Sequence, residues 1–212
     1  MYGQLSQTPN LDTEDLISGK APFIVIPNVI SESTCISLCE KIFKNYKTFP
    51  GPGIKNKIGT SLGSHIYEKS KYFSKKSNLV CLADDSGLEV NALGGKPGVV
   101  TARFGGPLLN DNQRCDYLLK LLTDVPKEKR QACFRAVLAI SIPGGLNFAR
   151  EGILNGYIAQ SFRGENGFGY DPIFELQDGR TLAELGSEKQ QISHRFQAMR
   201  AIKKVLREFD HG

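Results

Sequence analysis

The sequence lacks the features that mark membrane proteins and secreted proteins. No segment approaches the roughly 18 consecutive apolar residues that a membrane-spanning helix requires. The N-terminal segment MYGQLSQTPNLDTEDLIS has neither the basic stretch nor the apolar stretch of a secretory signal peptide. We therefore expect a soluble, cytoplasmic protein that binds no membrane.

Cysteine is scarce and poorly spaced for disulfides or zinc. Five cysteines are an odd number, and although Cys35 and Cys39 are close, no other Cys or His is spaced to complete a zinc set. Internal repeats and linker-like shifts of composition are also absent. With 212 residues, 40% of them hydrophobic, the chain can bury one sizeable core without cross-links. We expect a flexible polar arm over residues 1–20 and a single domain over residues 21–209.

The chain is mildly basic, with a formal net charge of +5. Its lysines cluster between residues 44 and 76. A solvated helix face explains this cluster better than a nucleic-acid surface does, because no regular series of aromatic side chains accompanies the lysines. A basic balance also suits a polyanionic small ligand.

Hydrophobic periodicity changes along the chain between strand and helix patterns, which predicts a mixed α/β fold. Strands are predicted at APFIVIPNV (21–29), LVCLA (79–83), CFRAVLAISIP (133–143), LNFAREG (146–152) and GYIAQSFRG (156–164). Helices are predicted at 31–47, 61–76, 111–126 with Asp111 as N-cap, and 192–209. The glycine-rich segment 94–107 is predicted to be a loop with room for one short strand.

Two adjacent carboxylates, Asp84 and Asp85, follow the predicted strand that ends at Ala83. Ligands of open α/β sheets bind at that edge. Neighbouring carboxylates can hold a divalent metal, and one can take a proton from water. On this stretch alone a turn is the better interpretation, with Asp bonding backbone N–H groups and Gly87 supplying an unusual φ angle.

A second cluster is the glycine-rich aromatic segment RGENGFGYDPIF, residues 163–174. Phe168 or Tyr170 could stack on a base, and Asp171 could accept hydrogen bonds from base or sugar. A tight connection whose aromatic rings return to the core explains the same residues equally well.

A third cluster lies at the start of the predicted final helix, where Lys189, His194 and Arg195 could donate to carbonyl or phosphate oxygens. An exposed polar first turn is the ordinary explanation for any one of them. Together, the acidic pair, the aromatic glycine loop and the cationic helix start favour a nucleotide-phosphate hydrolase, in which magnesium neutralises phosphate and activated water attacks.

Three of these segments closely resemble the inosine triphosphate pyrophosphatase family: LADDSGLEVNALGGKPGVVTARFGG (82–106), NGFGYDPIF (166–174) and TLAELGSEKQQISHR (181–195). The resemblance runs from about residue 79 to the final helix. It implies an elongated two-lobed α/β fold with a mixed twisted sheet and a central nucleotide cleft, and a homodimer. It also implies magnesium-dependent cleavage of the purine nucleotides ITP, dITP and XTP to monophosphate and pyrophosphate.

The resemblance also implies roles for individual residues. Asp85 is then the general base or metal-side carboxylate, with Asp84 beside it as a second catalytic and Mg²⁺-binding carboxylate, and Ser86 touches the substrate. The implied base pocket consists of a loop and the start of the final helix: Phe168, Gly169, Tyr170, Asp171, Lys189, His194 and Arg195. Fixed cationic donors fit a 6-keto purine, because a 6-amino group would leave them unpaired.

The N-terminal third departs from the family pattern. The phosphate-gripping segment Thr-x-Asn-x-x-Lys has no counterpart, Lys57 stands where an acid is expected, and Ser64 and His65 stand where Glu and Asn are expected. Lys55, Lys57 and Lys69 are candidate replacements as phosphate ligands. This departure keeps two alternatives open, a hydrolase of a different or modified nucleotide and a non-catalytic nucleotide-binding protein. Nucleic-acid binding through the lysine-rich helix is the least favoured interpretation.

Overall fold

The computed structural model describes residues 23–26, 46–48, 62–145 and 147–209. The strands in these ranges are β1 (Phe23–Ile26), β2 (Tyr46–Thr48), β3 (Val80–Val90), β4 (Gln131–Ser141), β5 (Asn147–Ile158) and β6 (Phe174–Glu175). The α-helices are α1 (Leu62–Ser77), α2 (Asp111–Leu121), α3 (Lys189–Ile192) and α4 (His194–Phe209). Short 3-10 helices lie at Asn91–Leu93, Gly98–Arg103, Lys127–Lys129, Asp171–Ile173 and Gly186–Glu188.

The described strands form one sheet in the order β2-β1-β3-β4-β5-β6. β1 pairs in parallel with β2 and β3, whereas β3, β4, β5 and β6 pair antiparallel in succession. The prediction of a mixed sheet in an α/β fold is therefore confirmed. No helix in the described part of the chain is long and apolar enough to cross a membrane.

The two faces of the sheet carry different helices. α1 packs on β3 and β4 from one side, where Ile66 meets Ala83, Val137 and Ala139. α4 packs on β4 and β5 from the other side. Because successive side chains of a strand point to opposite faces, neighbouring residues of β3 face different helices, α1 on one side of the sheet and α4 on the other.

The acidic pair lies inside a strand, not at the end of one. β3 continues to Val90, and Asp84 and Asp85 pair with Leu138 and Val137 of β4. Both the predicted strand end at Ala83 and the turn interpretation are therefore wrong. The ladder continues because β4 supplies an antiparallel partner that the local sequence does not reveal.

Other predicted boundaries also change. Residues 147–152 of LNFAREG and the start of GYIAQSFRG belong to one strand, β5, because β4 pairs with it without a break. Tyr46–Thr48 forms β2, in place of the end of the helix predicted over 31–47. The rest of that helix and the arm over 1–20 fall outside the described residues. The helix predicted at 61–76 is confirmed as α1. The helix predicted at 111–126 is confirmed as α2 but ends at Leu121, and the final helix is confirmed as α4, which begins at His194.

Helix α2 begins with a capping box. The side chain of Asn110, not that of Asp111, accepts from the backbone of Gln113, and the Gln113 side chain accepts from the backbone N–H of Asn110. Asp111 is thereby free to bond elsewhere, which the predicted cap would not allow. Burial of Leu118 and Leu122 fixes the inner face of the helix.

Replacing the cap tests this helix start. Asn110→Ala removes the acceptor for the Gln113 N–H, so we expect the free energy of unfolding to fall by about 1 kcal/mol in urea titrations. Asn112→Ala, an exposed position in the same first turn, is the matched control and should leave stability within about 0.5 kcal/mol. Equal losses in the two variants would contradict the assignment of Asn110 as the cap.

Candidate active site

A cavity of about 490 Å³ opens on the face of the sheet that carries α4. Its wall is built from β3, β4, the 3-10 helix Gly98–Arg103, the start of α2, the loop 166–171 and the start of α4. Most of the side chains that line it are polar or aromatic: Ser86, Thr101, Asp111, Arg114, Phe134, Asn166, Phe168, Tyr170, Asp171, Ser187, Lys189, Gln190, Ser193, His194 and Arg195. The volume suits one small organic ligand.

Arg195 joins α4 to the sheet at the wall of this cavity. Its Nε donates to Asp84 Oδ2 at 3.0 Å, and its Nη2 donates to Ser86 Oγ at 2.6 Å. Asp84 and Ser86 share a face of β3 because they lie two residues apart. All three side chains are buried. Little water therefore surrounds the ion pair of Arg195 and Asp84, and the Arg195 side chain is held in one orientation.

His194 presents a neutral ring to the cavity. Its imidazole stacks on Phe134, with ring centroids 4.9 Å apart and planes 8° apart, and both are buried. Neither ring nitrogen has a hydrogen-bond partner within the described structure. Burial, followed by the positive charges of Arg195 and Lys189, lowers the pKa of His194 well below its ordinary value. A ligand can therefore find a buried imidazole with both nitrogens available.

The loop 166–171 is organised by the carboxylate of Asp171. Asp171 Oδ2 accepts the backbone N–H of Phe168 at 2.8 Å and also pairs with Lys189 Nζ. The same ammonium lies 4.4 Å from the centre of the Phe168 ring. Phe168 is 41% exposed, so its ring is an accessible surface for stacking, with a cation fixed beside it.

Helix α2 clamps this loop from outside. Asp111 Oδ2 accepts the N–H of Gly169 at 2.8 Å, and Cys115 Sγ donates to the Gly169 carbonyl at 3.3 Å. Tyr170 points inward and donates to the Thr101 carbonyl at 3.1 Å, and burial raises the pKa of its hydroxyl. Tyr170 is thus buried, as predicted by the alternative in which the aromatic rings of this segment return to the core. Phe168 is the accessible ring.

Arg114 fixes the segment that precedes α2. Its Nη1 donates to the carbonyls of Phe104 and Gly106, and its Nη2 donates to the carbonyl of Leu109. The side chain is buried at the cavity wall, and its Nε has no partner among the described residues. Arg114 therefore places positive charge beside the cavity in addition to Lys189 and Arg195.

Asp85 lies apart from the cavity lining. Its side chain is fully buried, and strand alternation places it on the α1 face with Ala83, opposite to Asp84. Its Oδ1 accepts the backbone N–H of Ser86 at 2.9 Å. Within the described ranges, no group of three His, Cys, Asp or Glu side chains is placed to hold a metal ion. The two carboxylates that follow each other in sequence are therefore held in different surroundings.

The structure brings together eight of the ten residues singled out in the sequence: Ser86, Phe168, Gly169, Tyr170, Asp171, Lys189, His194 and Arg195 line the cavity. Asp84 joins them through Arg195, and Asp85 does not line it. Sequence reasoning missed Thr101, Asp111, Arg114 and Phe134. Two of them carried a signal that could have found them: Asp111 is a polar residue at a predicted helix start, and Thr101 lies in the segment 82–106 that resembles the family.

This arrangement suits a flat ligand with polar edges. Phe168 offers a ring face, and Lys189, Arg195 and His194 offer N–H groups at fixed places, held by Asp171, Asp84 and Phe134. A buried site of fixed donors binds a carbonyl oxygen well and rejects an amino group, because unpaired buried donors cost free energy. Selection of keto-bearing bases is what this geometry can do chemically.

Comparison with known proteins supports this chemistry. The Ham1 family profile matches residues 33–205. A dITP/XTP pyrophosphatase of Bacillus licheniformis is 48% identical over 150 residues, which cover 70% of this chain and 76% of the relative. The solved structure of a HAM1 protein from Coxiella burnetii has a TM-score of 0.75 at 32% identity, and that of the Staphylococcus aureus Ham1 protein has 0.77 at 30%. Each covers 88% of this chain, and this chain covers 99% of each.

Burial of neutral His194 predicts a pH dependence of stability. Because its pKa is lowered in the folded state, the unfolded chain binds the extra proton as pH falls below about 6.5, and stability is lost. We expect the melting temperature to fall between pH 7 and pH 5, and to fall less in His194→Gln. His65 and His211 remain in both chains, so the difference reports on His194. Parallel pH profiles of the two chains would contradict the buried neutral ring.

Proposed function

This chain belongs to the Ham1 family, and on this basis we propose that it is a nucleoside triphosphate pyrophosphatase. It hydrolyses non-canonical purine nucleotides (ITP, dITP and XTP) to the monophosphate and pyrophosphate, which removes them from the nucleotide pool. The observation that carries the proposal is the cavity in which a stacking ring and three nitrogen-bearing side chains meet, Phe168 with Lys189, His194 and Arg195.

Base selection follows from the anchoring of these groups. The purine stacks on Phe168, and its 6-keto oxygen accepts from donors of Lys189, His194 and Arg195. Asp84 and Asp171 hold the two cations in place, so the donors cannot turn away to accommodate adenine. Adenine, with an amino group at that position, leaves buried donors unpaired, which costs about 1–3 kcal/mol for each.

From the family resemblance we assign hydrolysis to Asp85, which would accept a proton from the attacking water. The water oxygen then bonds to the α-phosphorus, the bond from that phosphorus to the oxygen bridging to the β-phosphate breaks, and pyrophosphate leaves. Because Asp85 lies on the α1 face of β3, outside the base-binding cavity, this assignment requires the phosphates to extend past β3 to that face. Asp84 is occupied by Arg195, so we give it a positioning role and leave Asp85 as the carboxylate next to the metal. The donor chemistry fits Mg²⁺, which is commonly held by one or two carboxylates together with substrate phosphates. When bound, Mg²⁺ supplies neutralisation of phosphate charge.

The assembly and location of the protein are part of the same proposal. The family resemblance supports a homodimer that acts on the cytoplasmic nucleotide pool. Sedimentation equilibrium checks the dimer directly. A mass of twice 23.4 kDa is expected, and a mass of 23.4 kDa at micromolar concentration would contradict it.

The activity is tested by pyrophosphate release from ITP, dITP, XTP, GTP and ATP, with magnesium present or chelated. We expect metal-dependent release from ITP, dITP and XTP, and much slower release from ATP, whose 6-amino group leaves the buried donors unpaired. GTP carries the same 6-keto group, so its rate measures how much the 2-amino group of guanine adds to the selection. Asp85→Asn should lower kcat by about 10²–10⁴-fold, because it removes the proton acceptor. Asp84→Asn should mainly raise KM, because it releases Arg195.

Different outcomes separate the alternatives. If no triphosphate is turned over while ITP still raises the melting temperature, the protein takes another nucleotide or only binds one. If Asp85→Asn keeps full kcat, Asp85 is not the proton acceptor. If both Asp variants change kcat and KM alike, the division of roles between the two carboxylates is wrong.

A further inference from the structure

A row of small residues crosses the sheet beneath the start of α4. Ser86 of β3 pairs with Ala136 of β4, and Ala136 pairs with Gly152 of β5. The neighbouring rows on this face are larger: Asp84, Leu138 and Arg150 on one side, and Leu88, Phe134 and Leu154 on the other. The row is thus a shallow trough across three strands.

The first turn of α4 lies directly on this trough. A Cβ atom built on Gly152 falls on the carbonyl oxygen of His194 and lies 2.5 Å from the amide nitrogen of Ala198, whereas ordinary contacts begin at 3.4 Å. Both neighbours are backbone atoms of the helix, so no side-chain rotation can relieve the overlap. Any side chain at 152 must therefore lift the helix by about an ångström.

The residues at both ends of the trough contact the two residues of α4 that are proposed to bind the base. At one end Ser86 Oγ accepts from Arg195, and at the other Gly152 touches the backbone of His194. Ser193 Oγ accepts the Phe196 N–H at 3.2 Å and so fixes where the helix begins. At this depth the buried His194 ring, with both nitrogens unpartnered among the described residues, lies at the cavity wall.

We propose that Gly152 and Ala136 are positioning residues for base recognition. By their small size they set how deep the first turn of α4 lies on the sheet, and therefore where His194 and Arg195 meet the base. The inference rests on the proposed function for the identity of the ligand, a purine nucleotide with a 6-keto group. The geometry of the trough itself does not depend on it.

Gly152→Ala is the direct test, with steady-state kinetics on ITP and ATP. A displaced helix start weakens hydrogen bonds from His194 and Arg195 to the base that are made equally in the ground state and the transition state. We therefore expect KM for ITP to rise by about 10²-fold with kcat retained. The preference for ITP over ATP should fall in parallel. Ile202→Ala is the control, because it loosens the packing of the same helix two turns further on without filling the trough.

A second readout needs no substrate. NMR titration of the histidine rings in the unaltered chain should show His194 with a lowered midpoint, because its ring is buried against Phe134 and faces the positive charges of Arg195 and Lys189. Lifting the helix exposes the ring to water, so Gly152→Ala should move that midpoint up toward 6.5, while Ile202→Ala should leave it unchanged. If Gly152→Ala fails to fold, Ala136→Val fills the middle of the same trough and should shift both readouts in the same direction.

The outcomes separate this inference from the proposed function. A folded Gly152→Ala with unchanged KM and unchanged His194 midpoint would overturn the positioning role. The role is likewise overturned if Ile202→Ala reproduces both changes, since general loosening would then explain them. Absence of ITP turnover by the unaltered chain would contradict the proposed function, and the His194 titration would still decide whether Gly152 and Ala136 set the depth of the helix.

Discussion

The buried ion pair between Arg195 and Asp84 is the interaction on which the candidate site depends. It joins the first turn of α4 to the middle of β3, and both side chains are less than 10% exposed. Removing one partner of such a pair leaves an uncompensated buried charge, at a cost of about 3–5 kcal/mol. Arg195 is therefore held in one orientation, and with it the helix start that also carries His194.

The rest of the cavity is built on the same principle, with charged side chains bonded to backbone groups. Asp111 and Asp171 accept N–H groups of the loop that presents Phe168. Arg114 donates to carbonyls of the segment that precedes α2. Arg130 donates to the carbonyls of Leu122 and Val125, which follow α2, and of Ala159, which follows β5. Because such bonds to charged groups are strong, the loops around the cavity are fixed before a ligand arrives.

Sequence patterns predicted the element types well and the long-range partners poorly. Periodicity located α1, α2, α4 and the β4 strand, because each has its own apolar pattern. It failed at Asp84 and Asp85, where local turn chemistry competes with a ladder supplied by β4, about 50 residues further along the chain. Asp111 was likewise assigned to its own helix, although its carboxylate serves Gly169. Partners of this kind depend on the folded chain and leave no local signal.

The site residues divide in the same way. The aromatic loop and the cationic helix start converge on one cavity, as the three clusters indicated. Arg114 and Phe134 stand in patterns that look like ordinary helix and strand, so nothing marked them, and Thr101 was marked only by lying in the segment 82–106 that resembles the family. Gly152 is similar: its importance comes from the approach of α4, which no spacing within β5 reveals.

We expect Arg195 to contribute to ligand binding only while its bond to Asp84 holds the side chain in place. A double-mutant cycle with Asp84→Asn, Arg195→Lys and the double variant tests this, with the affinity for ITP measured by calorimetry in EDTA. We predict strong non-additivity, with a coupling free energy of about 1–3 kcal/mol, because either single change already disrupts the arrangement in which Arg195 bonds Asp84 and Ser86 at once. Additive effects within about 0.5 kcal/mol would show that the two residues act independently, and would contradict a site organised by this ion pair.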